Sequence, residues 1–272
     1  KIDTDYAFVN TWNESMNSGF GVSVLNQREN VTNYNFSQVN ANYAYRVRIS
    51  DDWTFRPAIE AGFGLKSFAF QNLLLEDQIN IKTGIINTSS IDPILLNDKV
   101  SFFDISAGMV FNTENMWIGL SMKHLNKPNI AFSSNGNVPL ATFFSLSTGY
   151  EFLLADYIDV QFFPYATKMF VTSNYMQQGR YNRLDIGTSI LFEKMFFGAT
   201  AVTNPSKNGY NSQLLTSVNL FTGLQYDHLR FGLSYDLNTS KIGKTGGIYE
   251  LSLTYQFNLD KKCFGCPNYT GK

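Results

Sequence analysis

Few residues in this chain could do chemistry. Cys263 and Cys266 stand in a Cys-Phe-Gly-Cys-Pro run that ends at Pro267. Two thiolates could form half of a zinc site, but zinc takes four ligands and the nearby tail supplies only these two. A redox dithiol of the thioredoxin sort would open a helix, whereas this motif lies in a polar tail. The simpler reading is a local disulfide, or a thiol pair facing a partner in an oxidising compartment. The two histidines, His124 and His228, each fall at the end of a strand-like segment. No Gly-x-Ser-x-Gly, P-loop or His-Glu-x-x-His motif is present, and the paired glycines of "GFGVSV" and "GFGLKS" lie inside strands. There glycine bends a sheet or makes room for a bulky neighbour. The expectation is a protein that is not an enzyme and has no cofactor or metal.

Charged residues form the other constellation. Arg46, Arg48, Arg56, Glu60, Lys66, Asp104, Lys123, Glu151, Asp185, Arg230, Asp236 and Glu250 all fall on the polar side of alternating segments. Both signs occur in similar number. A selective pore favours one sign at its constriction, so mixed charges suit pairing and filling of an interior. A solute path stays open as an alternative, because about fourteen strands enclose more room than eight.

The elements that must position these groups are strands. Aromatics make up 15% of the 272 residues, charged residues only 16%, and there are 20 glycines. That composition is neither disordered nor that of a helical bundle. A net charge of -1 gives nucleic acid no electrostatic reason to bind. No apolar run reaches the length of a membrane-spanning helix. Strand signals recur near 2–12, 18–25, 35–49, 53–69, 102–111, 116–124, 141–152, 157–168, 181–192, 194–203, 215–226, 228–237 and 247–257. The connectors "NESMN", "SDD", "NTEN", "LADY", "EK" and "DH" are tight, and those at 26–34, 70–101, 125–140, 169–180, 204–214 and 238–246 are long.

Short and long connections in alternation, with apolar residues on one face and arginines on the other, predict a transmembrane antiparallel outer-membrane β-barrel. Trp12, Trp53, Trp117, Tyr150, Tyr157 and Tyr226 lie near strand ends, as interfacial girdles require. The predicted domains are a barrel over 1–257 and a periplasmic C-terminal tail over 258–272. Barrels of this kind have an even number of strands. Thirteen are read here, so one more is expected before Lys1, for about fourteen. The mature barrel would contact outer-membrane lipid and no nucleic acid.

The longest connection, 70–101, is apolar for a solvated loop. It carries Leu73, Leu74, Leu75, Ile79, Ile81, Ile94 and Leu95. Such surface folds inward as a plug or meets a partner. The second long loop carries Asn126, Pro128 and Phe132.

The stretch "FDISAGMVFNTENMWIGLSMKHLNKPNIAF" (103–132) resembles the central signature of the PorP/SprF family of the Bacteroidota type IX secretion and gliding system. Phe103, Asp104, Ser106, Ala107, Gly108, Gly119, His124, Leu125 and Pro128 carry the match. "RPAIEAGFG" (56–64), the closing hairpin at 229–257 and Cys266-Pro267 are similar to further family motifs, and the family's Asn-Pro-Ala opening has no counterpart here. The resemblance implies an outer-membrane protein that anchors secreted cargo, such as adhesins with a type B C-terminal signal domain. It also implies contact with the secretion or gliding apparatus, for which the tail with Cys263, Cys266 and Pro267 is a candidate. The competing expectation is a solute transporter or porin of the fatty-acid-channel sort.

Overall fold

Burial in this protein runs opposite to that of a water-soluble domain. Along β6 (Lys99–Asn112), Asp104, Ser106 and Asn112 are buried while Phe103, Ile105 and Met109 are exposed. The same inversion holds along β2 (Ser18–Glu29), where Ser23 is buried beside exposed Phe20, Val22 and Val24. In β3 (Tyr34–Tyr45), Gln38 and Asn40 are buried and Val39 and Tyr43 are exposed. Successive side chains of a strand point to opposite faces. A sheet with this sorting therefore expects an apolar solvent on one side.

The computed structural model describes residues 2–30, 32–70, 73–79, 82–84, 86–87, 89–91, 98–133, 135–158, 164, 166–206, 214–239 and 246–257. The remaining strands are β1 (Ile2–Asn13), β4 (Val47–Arg48), β5 (Thr54–Ser67), β7 (Met116–Lys123), β8 (Phe143–Leu153), β9 (Lys168–Gln178), β10 (Tyr181–Phe192), β11 (Met195–Thr203), β12 (Leu215–Tyr226), β13 (Leu229–Asn238) and β14 (Ile248–Tyr255). All fourteen belong to one antiparallel sheet in chain order, with β4 paired only to β5. Helix is confined to two single 3-10 turns among the described residues, and no helix there is long and apolar enough to cross a membrane. The architecture is all-β and consistent with an outer-membrane barrel, although the sheet is not closed.

The chain divides into two units. The first contains residues 1–46, 57–108 and 122–142. Its strands pair in long unbroken registers, Ile2↔Glu29 to Asn13↔Ser18 and Ser18↔Tyr45 to Glu29↔Tyr34. Phe102 is its main buried aromatic, 6% exposed, and lies over Gly64, where an added Cβ would fall 2.3 Å from the ring. That glycine is the room that the paired-glycine pattern led us to expect.

The second unit contains residues 47–56, 109–121 and 143–272. Leu154, Phe170, Leu191 and Val202 are buried within it. A Lys168–Glu151 ion pair at 2.6 Å, four-fifths or more buried on both sides, lies beside the β8–β9 ladder. The tight turns at 193–194 and 227–228 use Glu193 and Asp227 at positive φ, the left-handed conformation that such hairpins require.

Three boundaries differ from those expected. In the segment 157–168 the described residues 157, 158, 164, 166 and 167 are not in a strand, and 159–163 and 165 lie outside the described residues; β9 instead occupies 168–178, which was expected to be a long loop. Pro164 removes an amide donor from 157–168. Residues 168–178 resemble a loop in sequence because Thr172, Ser173 and Asn174 are polar, yet Thr172 and Asn174 fall in step with buried Phe170 on the concealed face, where this sheet carries polar residues. The connection at 26–34 shrinks to 30–33 as β2 and β3 extend, and the strand expected over 35–49 breaks at Arg46 into β3 and β4. Cys263, Cys266 and Pro267 lie outside the described residues.

Candidate functional site

Asp104 sits on the concealed face of β6 at 1% exposure. A carboxylate removed from water needs donors or a counter-charge. Oδ2 has hydrogen-bond partners, with His124 Nδ1 at 2.9 Å and Gln38 Nε2 donating at 3.3 Å. Gln38 also donates to Asn40 Oδ1 at 2.9 Å, and Asn40 Nδ2 donates to Ser23 Oγ at 3.4 Å. A continuous polar chain therefore joins β2, β3, β6 and the end of β7. It passes over Gly62 of β5, where a Cβ would lie 2.3 Å from Asn40 Oδ1 and 2.9 Å from Gln38 Nε2. Only glycine leaves that passage open. Nearby, Lys123 Nζ lies 3.3 Å from Glu60 Oε1, so charges of both signs pair in this region.

At His124 the chain leaves β7 with φ 60°. Leu125 N still donates to Ile105 O at 2.9 Å. Asn126 then replaces the departed strand with its side chain. Its Oδ1 accepts from Ile105 N at 3.0 Å and its Nδ2 donates to Phe103 O at 2.7 Å. A carboxamide offers one donor and one acceptor with about the reach of a peptide group, so it satisfies the β6 backbone on both sides of Asp104.

The loop that follows is held as firmly. Asn129 Oδ1 accepts from Ala131 N and Val138 N, its Nδ2 donates to Gly136 O, and Leu140 N donates to the carbonyl of buried Pro128. Phe132 meets Phe70 edge-on at 5.1 Å, and the Lys66 ammonium lies 4.5 Å from its ring centroid. Lys66 Nζ also donates to Ile130 O at 3.4 Å.

The described part of the other long loop is organised by Gln78, 8% exposed, whose side chain accepts from Leu75 N at 2.8 Å and donates to Asn87 O at 3.1 Å. Asp77 accepts from Ile91 N at 2.8 Å and Ser90 Oγ at 2.7 Å. These bonds to Ile91 and Ser90 hold its carboxyl below the usual carboxylate value.

These contacts divide the residues expected to meet a partner. Leu73, Leu74 and Ile79 are exposed, as are the motif residue Leu125 and Ile91 at 92%, which sequence reasoning did not single out. Leu75 is half-buried, whereas Asn126, Pro128 and Phe132 are engaged within the loop framework. Ile81, Ile94 and Leu95 lie outside the described residues. Of the motif glycines, Gly108 is half-buried in β6 and Gly119 is buried, with a would-be Cβ 2.8 Å from Ser147 Oγ. Gln38, Asn40 and Ser23 were missed. Their signal was three polar residues at alternate positions on neighbouring strands.

Asn126→Ala is expected to free the Ile105 amide and Phe103 carbonyl without unfolding the sheet. Two lost bonds of ordinary strength favour local opening by about 1–2 kcal/mol, roughly 5–30-fold. Hydrogen exchange should accelerate at Ile105 and at 124–142. Unchanged exchange at both would show that the side chain holds nothing.

No curated protein matches the chain. A family profile described as "Type IX secretion system membrane protein PorP/SprF" matches residues 2–255. The match spans the sheet, the Asp104–His124 pair and both pinned loops, and on that extent the chain belongs to the PorP/SprF family of type IX secretion system membrane proteins.

Proposed function

We propose that this protein resides in the outer membrane and anchors secreted cargo at the cell surface. The long connections at 68–98 and 124–142 would hold the cargo's C-terminal signal domain. The observation that carries this reading is apolar surface on loops whose described residues are hydrogen-bonded to one another. Leu74, Ile79, Ile86 and Ile91 are 43–92% exposed on a framework fixed by Gln78 and Asp77. A loop exposing such residues without a partner is costly in water, and preorganisation lowers the entropic cost of binding. Family membership supports a role within type IX secretion and contact with its components. β14 ends opposite Leu229, beside the tight turn at 227–228, on the side that the reading places in the periplasm, and the segment 258–272 would touch the apparatus there.

The fatty-acid-channel alternative finds less support, because the concealed face carries Gln38, Asn40, Asp104 and paired charges beside its buried aromatic and aliphatic side chains.

Purification from native outer membrane in mild detergent, with mass spectrometry of what stays bound, tests the proposal. A large secreted protein held through its C-terminal domain is expected. Its recovery should fall at least about tenfold in Leu74→Asp/Ile91→Asp, since burying a single unpaired carboxylate costs more than about 1.4 kcal/mol. A chain truncated after Phe257 should keep the cargo and lose periplasmic partners. A lone protein that conducts ions in a bilayer would overturn the anchoring role, and identical partner sets with and without the tail would remove the tail's part in it.

A further inference from the structure

A second concave site lies within the other unit, on β10 to β14, and shares no residue with the loops discussed above. It is a cleft of about 340 Å³ near the strand ends that lead into the connections 204–214 and 239–247. Registers place its walls on one face of the sheet. Val202 is opposite Ser217, Ser217 opposite Asn238, and Asp236, two residues before Asn238, opposite Ile248. Arg183 shares that face through Asp185, which is opposite Val202.

The chemistry of the lining is unusual for a small-molecule pocket, since such pockets are mostly apolar. Here a guanidinium and a carboxylate flank neutral hydroxyls and amides, with Val202 and Ile248 as the main apolar patches. Arg183 uses Nε on Asp185 Oδ1 at 2.7 Å, and its side chain stays 49% exposed. Among the described residues no donor reaches the Asp236 carboxylate or the Ser217 hydroxyl. Thr203 and Thr216 donate their hydroxyl protons to backbone carbonyls of Leu184 and Val202, so they form the wall and not the recognition set. Arg183 and Asp236 stand three strand spacings apart and are offset by about four residues along the strands, roughly 20 Å at the backbone, and no ion pair joins them among the described residues.

We propose that this cleft binds a saccharide. Planar side chains such as Asp236 and Arg183 can each take two adjacent hydroxyls in a fork, the carboxylate accepting and the guanidinium donating. Ser217 supplies a neutral partner between them, and the exposed Ile248 side chain suits the C–H face of a sugar ring. Arg183 is already paired with Asp185, so the charge left over is that of Asp236, which disfavours an anion, and the sparse apolar surface disfavours a lipid tail. The site lies at the end of the sheet that bears the long connections, and it is independent of cargo anchoring because the two share no residue.

The test uses the full chain in detergent micelles. Saturation-transfer NMR would be run with D-glucose, D-galactose, maltotriose and the core oligosaccharide released from lipopolysaccharide, with the zwitterion Ala-Ala as competitor. Binding to at least one saccharide is expected, and titration should show it weakened about 10–100-fold in Asp236→Asn and in Arg183→Gln, as loss of one charge-assisted bond implies. Ser217→Ala, the mildest change, should weaken it less and guards against loss of folding in the other two. A free sugar binding best would name a soluble ligand, and the core oligosaccharide binding best would name a surface glycan. No transfer to any saccharide, binding unchanged in all three variants, or displacement by Ala-Ala would overturn the proposal.

Discussion

Asp104→Ala is expected to lower the stability of the folded protein by about 3 kcal/mol and to release the loop that follows β7. Removing the carboxylate leaves the Gln38 carboxamide and the His124 imidazole, 15% exposed, without the acceptor that both now share. Breaking a buried pair from one side costs more than the pair contributes, because the remaining polar group stays out of water. His124→Ala should cost as much or more, since it strands an ionisable group at 1% exposure. The double variant should therefore fall well short of the sum of the two, a coupling of about 1 kcal/mol or more. Asp104→Asn, which keeps one acceptor, should lie between parent and alanine. Urea unfolding in lipid vesicles, read with limited proteolysis at 124–142, measures all four. Midpoints within about 0.5 kcal/mol of the parent for both single variants would mean that the pair is ornamental.

Gly149→Val should be at least as damaging. In the second unit the Trp117 indole lies flat across Gly149, and a Cβ added there would meet the ring at 2.0 Å. Neither group can yield easily. β8 is held by its ladder to β9, and a bulky rigid side chain has few other rotamers. Overpacking of this kind costs about 1–3 kcal/mol when neighbours can shift, and more where they cannot. The discriminating control is Trp117→Ala. Valine at 149 should be nearly free in that background, because the clash is gone. Equal losses from valine with and without the indole would assign the effect to backbone entropy instead.

The alternation of apolar and polar residues was enough to read the fold class. In β13 apolar Leu229, Phe231, Leu233, Tyr235 and Leu237 alternate with Arg230, Gly232, Ser234, Asp236 and Asn238, and the same period runs through parts of β3, β5 and β6. A period of two is a local property, written in the chain by the pleat itself. The Asp104–His124 motif was legible too, as two short signatures separated by a turn. Boundaries were harder. A Thr-Ser-Asn stretch reads as loop in a water-soluble protein and as strand in one whose concealed face is polar, and 168–178 could be told apart only once its pairing to β8 and β10 was known.

The partners of each side chain lay beyond the sequence. Nothing local says that Gln38 meets a carboxylate 66 positions away, that Gly62 keeps their path clear, or that Asn126 is spent on the backbone of β6. Those contacts depend on strand order and register, which long-range pairing sets. The sequence by itself determined the alternation of exposed apolar and concealed polar side chains, because that choice repeats at every other position. Only the tertiary structure decided which inward groups satisfy one another, because buried polar atoms must find their donors and acceptors on neighbouring strands.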